Sequence, residues 1–237
     1  MILSKYKTLL FDIDDTLLDF SSAEDEALHR LFAENGLRLT DEVEKRYKEI
    51  NGGLWSAFER GEVSREEIVN TRFERLFNTY GKKVDGKRLG TSFQQFLSEN
   101  HDLIEGASDL IKSLASKFDL YIVTNGVSKT QYKRLHESGL NPFFKDVFVS
   151  EDTGYQKPMK EYFDYVFSHI TSLDQSSTLI IGDSLSSDIK GGLNAGIHTC
   201  WFNPHHKVNL TQDQPMYEIE HLADLYKILQ RHTASIQ

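Results

Sequence analysis

The chain has 237 residues, 39% hydrophobic and 27% charged, with a formal net charge of -9; this suits one large domain, or a core carrying an inserted smaller one. The acidic balance argues against nucleic acid or an anionic membrane as the main partner, although a local group of cations can still hold a phosphorylated small molecule. Cys200 is the only cysteine, which excludes an internal disulfide and suits a reducing cytoplasm.

Residues Met1 to Phe11 do not read as a signal peptide, because the apolar run from Thr8 to Phe11 is short and acids follow at once. No stretch approaches the length of a membrane span, so a cytoplasmic protein is expected. Tyr6 to Phe11 reads as a buried strand feeding a loop. From about Phe20 to Asn100 apolar residues recur at helical spacing (Ala27, Leu28, Leu31 and Phe32, then Ile68, Phe73, Leu76 and Phe77), which predicts several helices and no strand. After Gly106 the pattern alternates. Helices are predicted over Ala107–Ser116, Ser128–Ser138, Lys160–Ile170, Asp188–Ala195 and Glu218–Leu229. Strands are predicted over Leu120–Thr124, Val147–Ser150, Thr178–Gly182 and His198–Phe202, and Asn203–Gln214 reads as a surface loop. Strands alternating with helices predict an α/β fold with a doubly wound parallel sheet. The helical block interrupts it after the first strand, which predicts a core over 1–18 and 102–237 and a helical cap over 19–101.

In such sheets ligands bind beyond the carboxyl ends of the strands. Here those ends carry Asp12 and Asp14, then Thr124, Asn125 and Gly126, then Lys157, then Asp183 with Asp188 five residues on. Clustered acids repel, and a hard divalent cation relieves that; Mg2+ takes a few carboxylates and leaves positions for water and phosphate. Asp12 and Asp183 are therefore expected metal ligands, with Asp14 offering its backbone carbonyl and Asp188 an outer carboxylate. Lys157 and Thr124, with backbone N–H groups near Asn125 and Gly126, suit the charge of a phosphoryl group in transit. The expected chemistry is attack by Asp12 on phosphorus, while Asp14 protonates the leaving oxygen and later deprotonates a water. A carboxylic acid in that role needs a raised pKa, which a crowded anionic site can supply.

Each element also has a plain structural reading: an acidic turn, an Asn-Gly turn, a proline starting a helix, acids near a helix N-terminus. Their fixed order at the ends of four strands of one sheet favours the site. His205-His206 reads as a solvated pair rather than a metal site, and Lys82-Lys83 with Lys87-Arg88 as a solvated face. Trp55 and Phe58 either touch substrate or pack within or under the cap.

Phe11-Asp12-Ile13-Asp14-Asp15-Thr16-Leu17, Thr124-Asn125-Gly126, Lys157-Pro158 and Gly182-Asp183 with Asp188 resemble the four motifs of the haloacid dehalogenase-like (HAD) hydrolase superfamily. The resemblance spans the whole chain. It implies a Rossmann-like three-layer core with strand order 5-4-1-2-3, a helical cap inserted after the first strand, Asp12 as nucleophile, Asp14 as acid/base, and magnesium. An acid at position 14 is unlike the dehalogenases, Ile13 is unlike the ATP-driven pumps, and no cap lysine of the carbon–phosphorus-cleaving type is identifiable. Phosphoester hydrolysis is left, with phosphosugar mutases as the lesser option. A narrower resemblance to the bacterial pyrimidine 5′-nucleotidases rests on Asn51-Gly-Gly-Leu-Trp55, Arg72-Phe73-Glu74, Gln131 with Arg134-Leu135, and Gly191-Gly192-Leu-Asn194-Ala-Gly196 leading to Cys200-Trp201-Phe-Asn203-Pro-His205-His206. It implies a nucleoside monophosphate substrate, perhaps a deoxypyrimidine, and makes Asn51 and Trp55 candidate substrate contacts. The alternatives are another small-metabolite phosphatase acting on sugar phosphates, a phosphosugar mutase, or a non-catalytic binding module. The cap is expected to open and close over the site.

Overall fold

Six short apolar runs pair into one parallel sheet. In the computed structural model, which describes residues 4–230, they are β1 (Thr8–Phe11), β2 (Asp119–Thr124), β3 (Asp146–Val149), β4 (Thr178–Gly182), β5 (His198–Phe202) and β6 (Tyr217–Ile219). The order is β3-β2-β1-β4-β5-β6, so the expected five-strand order holds and a sixth strand lies beyond β5. The helices are α1 (Phe20–Glu34), α2 (Asp41–Glu59), α3 (Arg65–Asn78), α4 (Gly86–Leu97), α5 (Ala107–Leu114), α6 (Ser128–Glu137), α7 (Ser150–Thr153), α8 (Lys160–His169), α9 (Lys190–Asn194) and α10 (Leu225–Gln230).

Side chains alternate across a strand, and here both faces are covered, giving the α/β Rossmann-like fold. Leu9, Phe11, Ile122 and Ile181 pack on one side with Leu110 and Ile111 of α5, Leu135 of α6 and Ile228 of α10. Leu10, Tyr121, Val123 and Ile180 pack on the other with Tyr162, Phe163 and Val166 of α8. Phe11 pairs with Ile122 on one side and Ile181 on the other, so β1, β2 and β4 run out toward the same edge.

The four helices between β1 and α5 each begin on a side-chain cap: Asp19 accepts from the Ser22 N–H, Thr40 from Val43, Ser64 from Glu67 and Asp85 from Arg88. They bury a cluster of their own, in which Leu28, Phe32, Tyr47, Phe73 and Phe93 meet.

Two expectations are corrected. The predicted helix over Glu218–Leu229 is a short edge strand, a 3-10 turn at Leu222–Asp224 and α10. Glu218 belongs to β6 because Asn203 ties it down: the Asn203 N–H donates to Ile219 O (2.8 Å) and its Nδ2 to Glu218 Oε1 (2.6 Å). The helix predicted from Asp188 begins as a π-type turn over Leu185–Ile189, opened by Ser184, whose side chain accepts from the Ser187 N–H; α9 follows. Among the described residues, no helix is long and apolar enough to cross a membrane.

Candidate active site

Asp12 is the first residue beyond β1, and its N–H still donates to Ile181 O of β4 (3.0 Å). Lys157, 1% exposed, places its ammonium against three acceptors: Asp12 Oδ1 (2.7 Å), Asp188 Oδ1 (2.6 Å) and Val123 O (2.8 Å). That satisfies all three N–H groups of a lysine. The backbone of Lys157 is clamped by Asn125, which donates from Nδ2 to Lys157 O and accepts the Lys157 N–H at Oδ1, both at 2.9 Å. The buried Asp188 also accepts the Ser184 N–H at Oδ2 (3.1 Å). Gly182 is what admits it: a Cβ there would lie 2.2 Å from the Asp188 carboxylate.

Asp183 follows β4, with its N–H on Thr16 Oγ1 (3.1 Å) and its carbonyl accepting from Trp201 Nε1 (2.8 Å). Carboxylate oxygens of Asp12, Asp183 and Asp188 all lie within 4.8 Å of one another. Burial, reinforced by the neighbouring acids and opposed by Lys157, pushes the Asp12 carboxyl well above its usual range. Asp183 is pushed up to about 7 by burial and then by Asp188. Burial works against charge on Lys157 too, but Asp12 and Asp188 outweigh it and hold its pKa above the ordinary lysine value.

The side chain of Asp14 turns away from this trio. Its Oδ2 accepts from Gln131 Nε2 (2.7 Å) and its Oδ1 pairs with Arg134 Nη1. Gln131 Nε2 also donates to Thr124 Oγ1 (2.8 Å), and a Cβ on Gly126 would strike Gln131 at 2.5 Å.

A cavity of about 440 Å³ opens on this edge. Its walls bring together the predicted Asp12, Asp14, Thr124, Asn125, Gly126, Lys157 and Asp183 with Asn51 and Trp55 of α2. Asp188 lies behind Lys157. Phe58 instead packs edge-on to Trp55, at 5.6 Å, and beneath the Arg65 guanidinium. His205 and His206 are exposed, with His206 Nδ1 3.5 Å from Glu220, and Lys82, Lys83, Lys87 and Arg88 lie on the exposed surface.

Residues 9–202, which hold this whole sheet edge, match the haloacid dehalogenase-like hydrolase family. The chain belongs to that family. It is 44% identical to the pyrimidine 5′-nucleotidase PynA of Streptococcus pneumoniae, over 96% of each chain. It is 32% identical to the pyrimidine 5′-nucleotidase YjjG of Escherichia coli, over 96% of this chain and all of that one. A crystal structure of the Bacillus subtilis HAD-hydrolase YfnB bound to magnesium, which reveals interdomain movement, superimposes with a TM-score of 0.91 at 58% identity. The match covers 95% of this chain and 99% of that one.

The acid trio of this family member fits a hard divalent cation. Lys157 pairs with Asp12 and Asp188 while the exposed Lys207 lies 3.9 Å from Asp183; even so, two of the three clustered carboxylates are driven toward protonation by burial and mutual repulsion, and all offer oxygen.

The helical wall of the cavity holds a second polar cluster, of which sequence reasoning singled out only Asn51. Glu24 of α1 is buried, and its Oε1 accepts from Asn51 Nδ2 (2.8 Å) and the Tyr47 hydroxyl (3.3 Å). Burial pushes its carboxyl up to about 7 against the pull of Arg72. Arg72 of α3, 2% exposed, donates from Nη1 to Asn51 Oδ1 (3.4 Å) and lies over the Phe93 ring, 4.4 Å from its centroid. The signal was present: Glu24 falls among Ala23, Ala27 and Leu28 on the buried stripe of α1, and Arg72 precedes Phe73 on that of α3. Gln131 and Arg134, three residues apart on α6, likewise share a buried face.

Proposed function

We propose that the protein is a magnesium-dependent phosphomonoester hydrolase that works through a phospho-aspartate on Asp12. The observation that carries this reading is the asymmetry of the Asp12 carboxylate. Lys157 holds Oδ1, while among the described residues Oδ2 accepts no hydrogen bond and the side chain lines the cavity. Oδ2 attacks phosphorus, the bond from phosphorus to the ester oxygen breaks, and that oxygen takes a proton from Asp14. Asp14 then removes a proton from water, whose oxygen displaces Asp12 from phosphorus and releases inorganic phosphate. In this structure Gln131 and Arg134 hold the Asp14 carboxylate away from the trio, so Asp14 has to leave Arg134 to deliver and take up the proton. Lys157 and the Thr124 hydroxyl, with backbone N–H groups near Asn125 and Gly126, stabilise the equatorial oxygens. Asp12 and Asp183, with the Asp14 carbonyl and the outer carboxylate of Asp188, would hold Mg2+. The ion would supply positive charge to the transferring phosphoryl group.

The substrate class we infer is a pyrimidine nucleoside 5′-monophosphate. The two nucleotidases that share 44% and 32% of their residues with this chain support it, and a cavity of about 440 Å³ suits a small metabolite. In this reading residues 19–101 act as a cap: they bury their own cluster and contribute Glu24, Asn51, Trp55 and Arg72 to the wall opposite the sheet edge. The cap closes over bound substrate and excludes water until hydrolysis. The setting is cytoplasmic, in keeping with the free, buried thiol of Cys200. The test is a phosphate-release screen, with and without magnesium, across pyrimidine and purine nucleoside monophosphates and sugar phosphates. Pyrimidine nucleotides should lead, release should require magnesium, and Asp12→Asn should abolish it. A variant that retained turnover would refute the nucleophile.

A further inference from the structure

The helical wall leaves hydrogen-bonding capacity open on both of its charged groups. Asn51 and Tyr47 both bind Glu24 Oε1, so among the described residues Oε2 has no partner, and Glu24 lines the cavity. Arg72 lines it too, and among the described residues its Nε and Nη2 are buried with no partner. A buried N–H without an acceptor is costly and calls for an explanation. Asn51 bridges the pair, with its amide nitrogen on Glu24 and its amide oxygen on Arg72, so acceptor and donor are held side by side. Phe20, Trp55 and Leu97 supply flat and apolar surface in the same cavity.

We infer that Glu24 and Arg72 form a subsite that reads the N–H/C=O edge of a pyrimidine base, with Glu24 Oε2 accepting the ring or exocyclic N–H and Arg72 donating to the adjacent carbonyl. This inference rests on the nucleotide reading above and specifies which atoms select the base. A pair of sugar hydroxyls could serve both Glu24 and Arg72 but offers no flat face to Trp55. The edge of uracil or thymine supplies an N–H beside a carbonyl on a flat ring, and cytosine offers its amino N–H beside the N3 acceptor instead. Specificity of this kind is strong because an analogue lacking the N–H leaves the site's buried polar groups unpaired.

The test compares uridine 5′-monophosphate, its N3-methyl derivative and ribose 5-phosphate, which shares sugar and phosphate but has no base. The wild-type protein should handle the N3-methyl compound at least about tenfold less efficiently in kcat/KM than the parent, mainly through KM. E24Q should reduce the preference for uridine monophosphate over ribose 5-phosphate by about tenfold or more. Binding of uridine against N3-methyluridine by calorimetry gives a readout independent of turnover and should show the same discrimination. Equal handling of parent and N3-methyl substrates by the wild type overturns the subsite, as does an E24Q loss that is equal on both substrates. If nucleotides are hydrolysed no better than ribose 5-phosphate by the wild type, the nucleotide reading falls and the subsite with it. Hydrolysis of uridine monophosphate that ignores N3-methylation removes the subsite alone.

Discussion

At the sheet edge, Lys157 uses all three N–H donors on Asp12, Asp188 and a backbone carbonyl; across the cavity, Arg72 leaves two of its nitrogens unpaired among the described residues. Both cations are buried, so the difference is not one of exposure. The sheet-edge cluster is assembled from four strand ends whose register is set by backbone pairing, and its internal contacts hold it ready without a ligand. The helical cluster is assembled from α1, α2 and α3, whose own packing is complete around Phe73 and Phe93, and among the described residues it leaves Glu24 Oε2 and two buried nitrogens of Arg72 without partners. A site that performs one invariant step gains from groups fixed in advance. A site that selects among ligands gains from buried groups that only the right ligand completes.

Four experiments would sharpen or break that contrast. Asp12→Asn should lower kcat by about ten-thousandfold or more, because it removes the only proposed nucleophile; a loss under about tenfold in a magnesium-saturated assay would place the chemistry elsewhere. Lys157→Met should lower kcat by about a hundredfold or more. It should also destabilise the fold by about 3–5 kcal/mol, since it leaves Asp12 and Asp188 facing each other unpaired; urea melts of the variant and parent would measure this, and a near-unchanged midpoint would show that pairing does not hold the edge together.

The third concerns pH. Glu24 ionises near 4.5 unfolded and about 7 folded, so between those pH values the folded state holds its proton while the unfolded state has lost it, and Oε2 serves as an acceptor above about pH 7. Its contribution to stability is full below about pH 4.5 and disappears as pH rises through 7. The span is on the order of 3 kcal/mol. E24Q cannot titrate, so stability measured by denaturant melts should fall less steeply for it than for the parent between those pH values. Parallel profiles would mean that Glu24 is not held protonated by burial. The smallest effect is that of the ion: magnesium at a hundredfold excess over its Kd should add about 2.7 kcal/mol, or roughly 5–10 °C in melting temperature for a chain of this length. Asp183→Asn should erase most of that shift.

Much of the sheet-edge site was legible because each of its groups lies at or near the end of an apolar run, and a parallel sheet brings such ends to one side. Asp12, Thr124, Lys157 and Asp183 needed no knowledge of packing beyond that. The placement of Asp14 was not legible: Gln131 and Arg134 capture its carboxylate from α6, more than a hundred residues away, and helical spacing alone does not say which face of α6 meets which loop. Trp55 and Phe58 show the same limit. Three residues apart on one helix, they read alike, yet Trp55 lines the cavity while Phe58 packs behind it. The C-terminal misreading had a local cause, since Tyr217–Ile219 is too short for periodicity to speak and its strand state depends on Asn203 holding the edge.

What the amino-acid sequence determined by itself is the alternation of buried strands with amphipathic helices, the helical interruption after β1, and the acids, hydroxyl and lysine at the strand ends, because these follow from local periodicity and chain connectivity. Tertiary structure alone decided which charges are buried together, which oxygen of Asp12 is left open, and that Glu24 and Arg72 meet across Asn51. Those outcomes depend on distances between elements far apart in the chain, which only packing sets.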